Sequence, residues 1–201
     1  MNTVVFDVGE TLVDETGLWT GWARVLGVPA FTLFGVLGGL AARDEDHRKF
    51  LSLLGFEAVP GPDWVLTEAD LYPDARPCLQ ALRDDGWRVV VGGNQPAQVQ
   101  RLVEELRLAV DLVISSGGLG AEKPDPRFFS LVAEAAGVEV NDCVHVGDRV
   151  DNDVIGARAA GMLPVHVRRG PWGVLHGDDP GVELQVRSLL ELPSLLRSLR
   201  S

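Results

Sequence analysis

Thr3-Val4-Val5-Phe6-Asp7-Val8-Gly9-Glu10-Thr11-Leu12 is the stretch from which the rest of the chain is read. Thr3 to Phe6 is β-branched and aromatic, the composition of a short parallel strand buried on both faces. It runs straight into Asp7, with Gly9 two residues later. A carboxylate at the end of a buried strand sits at the rim of an apolar sheet and needs a cation or several donors to hold it there. In open parallel sheets this rim is where ligands bind. A strand-end turn would account for Asp7 equally well, so the decision falls to the rest of the chain.

At 201 residues the chain fits one domain with an insertion, and 46% hydrophobic content is enough for a real core. The formal net charge of -11 argues against a nucleic-acid or anionic-membrane partner. A phosphate-bearing substrate remains compatible with it, given a local positive site. The lysines are Lys49 and Lys123, so arginine carries nearly all the positive charge. Cys78 and Cys143 lie far apart and form no CxxC, which suits a reducing cytoplasm and argues against zinc. The opening strand has no basic leader before it, so no signal peptide is expected. The most apolar stretch, 28–42, is broken by Gly and Thr and falls short of the roughly 20 residues that span a bilayer.

Beyond Thr11 the pattern turns helical. Leu18, Trp19, Trp22, Val25 and Leu26 recur at helical spacing, with Thr16 as the expected N-cap and Gly27 as the stop. Phe31, Phe34, Leu37 and Leu40 continue the pattern, and Phe50, Leu51 and Leu54 follow up to Gly55. The charged run 43–49 reads as solvated helix surface. Pro60-Gly61-Pro62 breaks the pattern. Residues 14–71 therefore read as a small all-helical insertion.

From Pro73 onward, strands and helices alternate. Strands are expected at 88–91, 112–114, 143–146 and 164–167. Helices are expected at 75–85, 97–108, 126–136 (with Asp125 as N-cap and Pro126 at its first position), 152–160 and 189–199. This alternation predicts an α/β fold with a doubly wound parallel sheet, formed by residues 1–13 and 72–201.

At the carboxyl ends of these strands the chain collects Asp7 and Thr11, then Gly93 and Asn94, then Lys123, then Asp148 with Asp151 and Asp153 just beyond. By the topology rule they converge on one crevice. Two acidic groups from separate strands beside one lysine is the chemistry of a hard divalent cation next to an anion. Asp7 and Asp148 suit Mg2+, which takes one or two carboxylates and keeps waters. Lys123 suits the space between a nucleophilic Asp7 and a phosphate.

Asp7-Val8-Gly9-Glu10-Thr11, the 89–94 strand, Lys123-Pro124 and 147–153 together resemble the haloacid dehalogenase-like (HAD) hydrolase superfamily. The resemblance implies a Rossmann-like core, with residues 14–71 where that family inserts a helical cap. It implies that Asp7 is a nucleophile forming a covalent aspartyl intermediate. It implies that Asp7, the Gly9 carbonyl and Asp148 hold Mg2+ with support from Asp153, and that Lys123 steadies nucleophile and transferring group. Thr11, Gly93 and Asn94 are the expected substrate contacts.

Two positions depart from the family pattern. Gly9 stands where its phosphatases carry an acid-base Asp, a type of group that contributes about 10²–10⁴-fold. Gly93 stands where a phosphate-binding Ser or Thr is usual, leaving the amides of 93–95 for an anion. The expectation is a Mg2+-dependent phosphatase for a small phosphorylated metabolite. The alternatives are a catalytically weak binding or regulatory protein and a 2-haloacid dehalogenase. His47 is expected on an exposed helix, His145 as a satisfied or surface-facing strand residue, and Trp19 and Trp22 as packing between insertion and core.

Overall fold

The structure is a computed structural model that describes residues 1–200. Six strands form one sheet: β1 (Thr3–Phe6), β2 (Arg88–Gly93), β3 (Leu112–Ser115), β4 (Cys143–Gly147), β5 (Leu163–Val167) and β6 (Gln185–Val186). Every neighbouring pair is parallel, in the order β3-β2-β1-β4-β5-β6. The chain winds outward from β1 in one direction and then restarts at β4 in the other. The crevice of a doubly wound sheet therefore opens between β1 and β4. Phe6 pairs with Val91 on one side and Val146 on the other. The Asp7 amide donates to the Val146 carbonyl at 2.9 Å, so Asp7 is held in register at the rim.

Alternation along the strands divides the core into two layers. Val4, Phe6, Val89, Val91, Val144 and Val146 face the helices Ala75–Asp84 and Leu192–Arg200. Val5, Val90, Ile114 and Cys143 face the helix Pro126–Ala136, where Phe128 and Phe129 are fully buried. A strand with both faces covered must be apolar throughout, which is why these strands read as continuous runs. Gly27 and Gly137, both left-handed, end their helices as the sequence suggests.

The helices Thr16–Leu26, Ala30–Ala41 and Phe50–Leu53 lie over the crevice and share a separate cluster of Ala23, Leu26, Leu33, Leu37, Leu40 and Phe50. Trp172, from beyond β5, joins that cluster. The chain leaves and re-enters the sheet side by side: Asp14 N–H donates to the Asp70 carbonyl at 2.8 Å and Tyr72 N–H to that of Leu12 at 2.9 Å.

Several local expectations change. Thr16 is the first helical residue rather than the cap, and its amide donates to Asp14 Oδ1 at 2.9 Å. Phe31 is 88% exposed, because Leu33, Leu37, Leu40 and Ala41 form the inward face instead. The run 43–49 is a turn followed by the short 3₁₀ helix His47–Lys49, and 58–67 has no regular structure, so 14–71 is not helical throughout. β6, only two residues long, is too short to show a period. The expected helix at 152 begins as a π-helical turn, Val150–Ile155, before Gly156–Ala160. Such wide turns often occur where a side chain must be re-aimed at a site.

Candidate active site

Gly147 ends β4 and its missing side chain shapes the site. A Cβ there would lie 2.2 Å from Asp153 Cγ. The π-helical turn therefore folds Asp153 back over the strand end. Its Oδ2 accepts from the Arg149 amide at 3.0 Å, and its Oδ1 accepts from Lys123 Nζ at 2.5 Å and lies 2.9 Å from His145 Nε2. An ionised carboxylate only accepts, so Nε2 of His145 carries the hydrogen of that bond. His145 is fully buried, with Nε2 against Asp153 and Nδ1 without a hydrogen-bond partner among the described residues.

Lys123 Nζ also reaches Asp7 Oδ1 at 2.6 Å. Lys123 is positioned by its backbone as much as by its charge. Its N–H donates to Asn94 Oδ1 at 2.7 Å and its carbonyl accepts from Asn94 Nδ2 at 2.8 Å. One Nδ2 hydrogen and one Oδ1 lone pair of Asn94 thereby hold Lys123, and the residue also lines the cavity. Gly93 is buried, and a Cβ there would stand 2.9 Å from Asp7 Oδ1, so its bareness makes room for the carboxylate. Thr11 is fully buried, its Oγ1 has no hydrogen-bond partner among the described residues, and it does not line the cavity. Thr11 belongs to the loop's interior, not to the crevice.

Asp7, Asp148 and Asp153 each place a carboxylate oxygen within 4.8 Å of the others. All three are buried, against one buried lysine. The unequal sharing of that lysine appears in their titration. Burial would raise Asp153, but Lys123 and His145 outweigh it and hold this carboxyl below its usual range. Burial raises Asp7 despite Lys123. Asp148 is pushed well up by burial and by the negative Asp153 and Asp7. Its side chain accepts no hydrogen bond among the described residues. Burial would lower Lys123, but Asp153 and Asp7 outweigh it and raise the ammonium. Three oxygen donors with one cation between them are short of positive charge by more than the protein supplies. Their hardness and spacing fit a divalent cation.

These groups line a cavity of about 1040 Å³, roofed by Trp19, Trp22, His47 and Phe50 from the overlying helices. Its size suits a small metabolite. His47 lies at the cavity wall rather than on an open helix. It meets Trp19 and Trp172 edge-on, with ring centroids 5.9 and 6.2 Å away, and its Nδ1 is 3.3 Å from Arg149 Nη1. Trp19 and Trp22 pack on Phe50, within the insertion itself rather than between insertion and core, and also face the cavity. The Arg149 guanidinium, 4.7 Å above the Trp172 ring, pairs with Asp151 at 2.5 Å.

Glu15 also lines the cavity, and no spacing in the sequence singles it out. Burial, with Glu10, Asp7 and Asp14 nearby, raises its carboxyl to about 7 against the donation from Trp19. Glu10 lines the same cavity with both its oxygens engaged. Its Oε2 accepts from Tyr72 Oη at 2.5 Å and its Oε1 from the Glu15 amide at 3.0 Å.

A family description, haloacid dehalogenase-like hydrolase, matches residues 1–161. The chain is 44% identical to Phosphatase MT3486 of Mycobacterium tuberculosis over 192 residues, 84% of this chain and 88% of that protein. It is 35% identical to the glyceraldehyde 3-phosphate phosphatase of Methanopyrus kandleri over 136 residues, 64% of this chain but only 57% of that protein. Among solved structures, a HAD phosphatase from Thermococcus onnurineus superposes with a TM-score of 0.63 at 27% identity, covering 98% of each chain. The matched segment carries β1 through the helix after β4, and with it every acidic group of the cluster and the lysine between them. On this agreement of sheet order, cluster and sequence, the chain belongs to the haloacid dehalogenase-like hydrolase family.

Proposed function

We propose that the protein is a cytoplasmic, Mg2+-dependent phosphatase of a small phosphorylated metabolite, working through an aspartyl-phosphate on Asp7. The observation that carries this reading is Asp148: a buried carboxylate without a donor, beside Asp7 and Asp153. Three buried carboxylates served by one buried lysine fit a hard divalent cation better than they fit a metal-free dehalogenase site. Phosphatase-named relatives at 35% and 44% identity support the same choice.

Asp7 presents Oδ1 to Lys123, and its carboxylate attacks phosphorus. Lys123, pinned between Asp7 and Asp153, neutralises part of the charge between nucleophile and phosphoryl group without having to move. Asp7, Asp148 and Asp153 would hold Mg2+, which when bound supplies the positive charge that draws the phosphoryl oxygens against Asp7. Residues 14–71 act as the cap that excludes water and selects the substrate, with Trp19, Trp22 and His47 on its inner side. The net charge of -11 supports a small-molecule partner over nucleic acid or membrane.

Mg2+-dependent phosphate release from a panel of sugar phosphates and nucleotides tests the reading. Chloride release from 2-haloacids in its place makes the protein a dehalogenase. Ligand binding without turnover makes it a binding protein.

Asp148→Asn gives a readout independent of turnover. The neutral amide relieves a buried repulsion, so the metal-free variant melts higher than wild type. On the order of 1 kcal/mol corresponds to about 2–4 °C for a chain of this size. A carboxyl whose folded pKa is raised loses stability as pH rises through that value. The gap is therefore widest at neutral pH and closes near and below the ordinary Asp value of 3.8. Added Mg2+ raises the melting temperature of wild type by mass action but not that of Asp148→Asn. Equal Mg2+ shifts in both proteins would remove Asp148 from the metal site.

A further inference from the structure

The site lacks an acid at position 9, and the structure shows what occupies the space such a side chain would fill. A Cβ on Gly9 would stand 2.4 Å from Glu15 Oε1, 2.8 Å from its Cδ and 3.3 Å from Oε2. The Glu15 carboxyl group therefore lies against the bare backbone of Gly9, in the same cavity as Asp7, Lys123 and Asp148. It is held from two sides. Its amide donates to Glu10 Oε1 at 3.0 Å, and the Trp19 indole donates to Oε2 at 3.1 Å. Glu10 is fixed in turn by Tyr72. Oε1, the oxygen nearer Gly9, accepts no hydrogen bond among the described residues.

We infer that Glu15 is the proton-transferring residue of this phosphatase, its carboxyl group standing in space where the chain has no side chain at position 9. The inference rests on the phosphatase reading above. Other acid-base groups near the crevice are engaged or placed away from Gly9. Glu10 uses both oxygens on Tyr72 and the Glu15 amide, and His47 stands at the cavity wall against Trp19 and Trp172 with Nδ1 toward Arg149, not against Gly9. Glu15 alone among the three combines a fixed position with an unbonded oxygen against the bare backbone of Gly9.

In the first step an Asp7 oxygen bonds to phosphorus as the bond from phosphorus to the ester oxygen breaks. The electron pair of that bond stays on the leaving oxygen, which takes the proton of the Glu15 carboxyl and departs as the alcohol. In the second step the Glu15 carboxylate takes a proton from water as the water oxygen bonds to phosphorus. The bond from phosphorus to Asp7 breaks, returning the Asp7 carboxylate, inorganic phosphate and a protonated Glu15. Asp14 also lines the cavity, with Oδ1 accepting from the Thr16 amide at 2.9 Å, but the atoms that stand against Gly9 all belong to Glu15.

The test uses the full chain with Mg2+ and two substrates of nearly equal shape, phenyl phosphate and p-nitrophenyl phosphate. Glu15→Gln keeps the shape and the Trp19 contact but cannot give up or take a proton. Its rate on phenyl phosphate falls by about 10²-fold or more, the lower end for a lost acid-base group. Its first step on p-nitrophenyl phosphate, whose leaving group needs little protonation, falls far less. The phosphoenzyme then accumulates as a burst, because water lacks its base. Beryllofluoride, which mimics the acyl phosphate, binds the variant as it binds wild type, which separates lost proton transfer from lost folding.

Gly9→Asp alone collides with Glu15 and lowers activity. Gly9→Asp combined with Glu15→Ala recovers at least about tenfold over Glu15→Ala on phenyl phosphate, within the range such groups supply. Wild-type rates for Glu15→Gln on both substrates, with no burst, would overturn the inference while leaving the phosphatase reading intact. No Mg2+-dependent release by wild type from either substrate would overturn both.

Discussion

Asp7→Asn lowers phosphate release by on the order of 10⁴-fold or more, the scale on which enzymes lose rate when a member of their nucleophilic machinery is removed. An amide is a poor nucleophile and forms no acyl phosphate. The fold survives, because the strand register at this point is set by the backbone: the position 7 amide bonds to Val146. Lys123 keeps Asp153 as its partner at 2.5 Å. The variant is therefore a folded protein with a dead site, and the measurement is paired. Wild type binds beryllofluoride and Asp7→Asn does not, while their circular dichroism and melting remain comparable. Substantial turnover by Asp7→Asn would rule out the covalent mechanism.

Lys123→Met has the largest expected effect on stability. The methionine fills most of the volume, but Asp7, Asp148 and Asp153 then share a buried site with no ammonium group. Removing one partner of a buried ion pair typically costs about 3–5 kcal/mol, because the remaining charge is left uncompensated. For a chain of this length that is a fall of roughly 6–20 °C in melting temperature. The sign with pH follows from Asp153, whose carboxyl Lys123 helps to hold below the usual range. A depressed carboxyl contributes stability above its unfolded pKa and loses it as pH falls through the folded value. The gap between wild type and Lys123→Met is thus widest at neutral pH and narrows in acid. Calorimetry at neutral and acid pH checks this, and a pH-independent gap would assign the loss to packing alone. Activity falls as well, since nothing else positive stands between Asp7 and Asp153.

Much of this architecture is legible in the chain itself. Buried parallel strands advertise themselves because both faces need apolar residues, so Val4 to Phe6 and Val89 to Val91 read directly as sheet. Asp7 and Asp148 are legible because a charged residue just after such a run is costly without a purpose, and Lys123 and Asp153 because they fall on the segments that follow β3 and β4. Periodicity fails where an element is only two residues long, as in β6, or where a helix has apolar residues on more than one face. Phe31 misleads for that second reason: Leu33 and Leu37 offer a better inward face than Phe31 and Phe34.

Three features of the site are decided by the tertiary structure alone. Asn94 falls at a strand end where a substrate contact is expected, but the fold brings Lys123 beside it and its amide closes on that backbone. Gly93 reads as the loss of a phosphate-binding hydroxyl, and in space it is the clearance that Asp7 Oδ1 requires. Gly9 reads as the loss of an acid, and in space it is the socket into which Glu15 fits. A one-dimensional pattern records which side chain a position has, not which neighbour fills the volume a missing side chain leaves. That volume is set by the path of the 10–15 loop, by the left-handed backbone of Glu10 at φ 50° and by the Tyr72 hydroxyl that reaches Glu10 from 62 residues away.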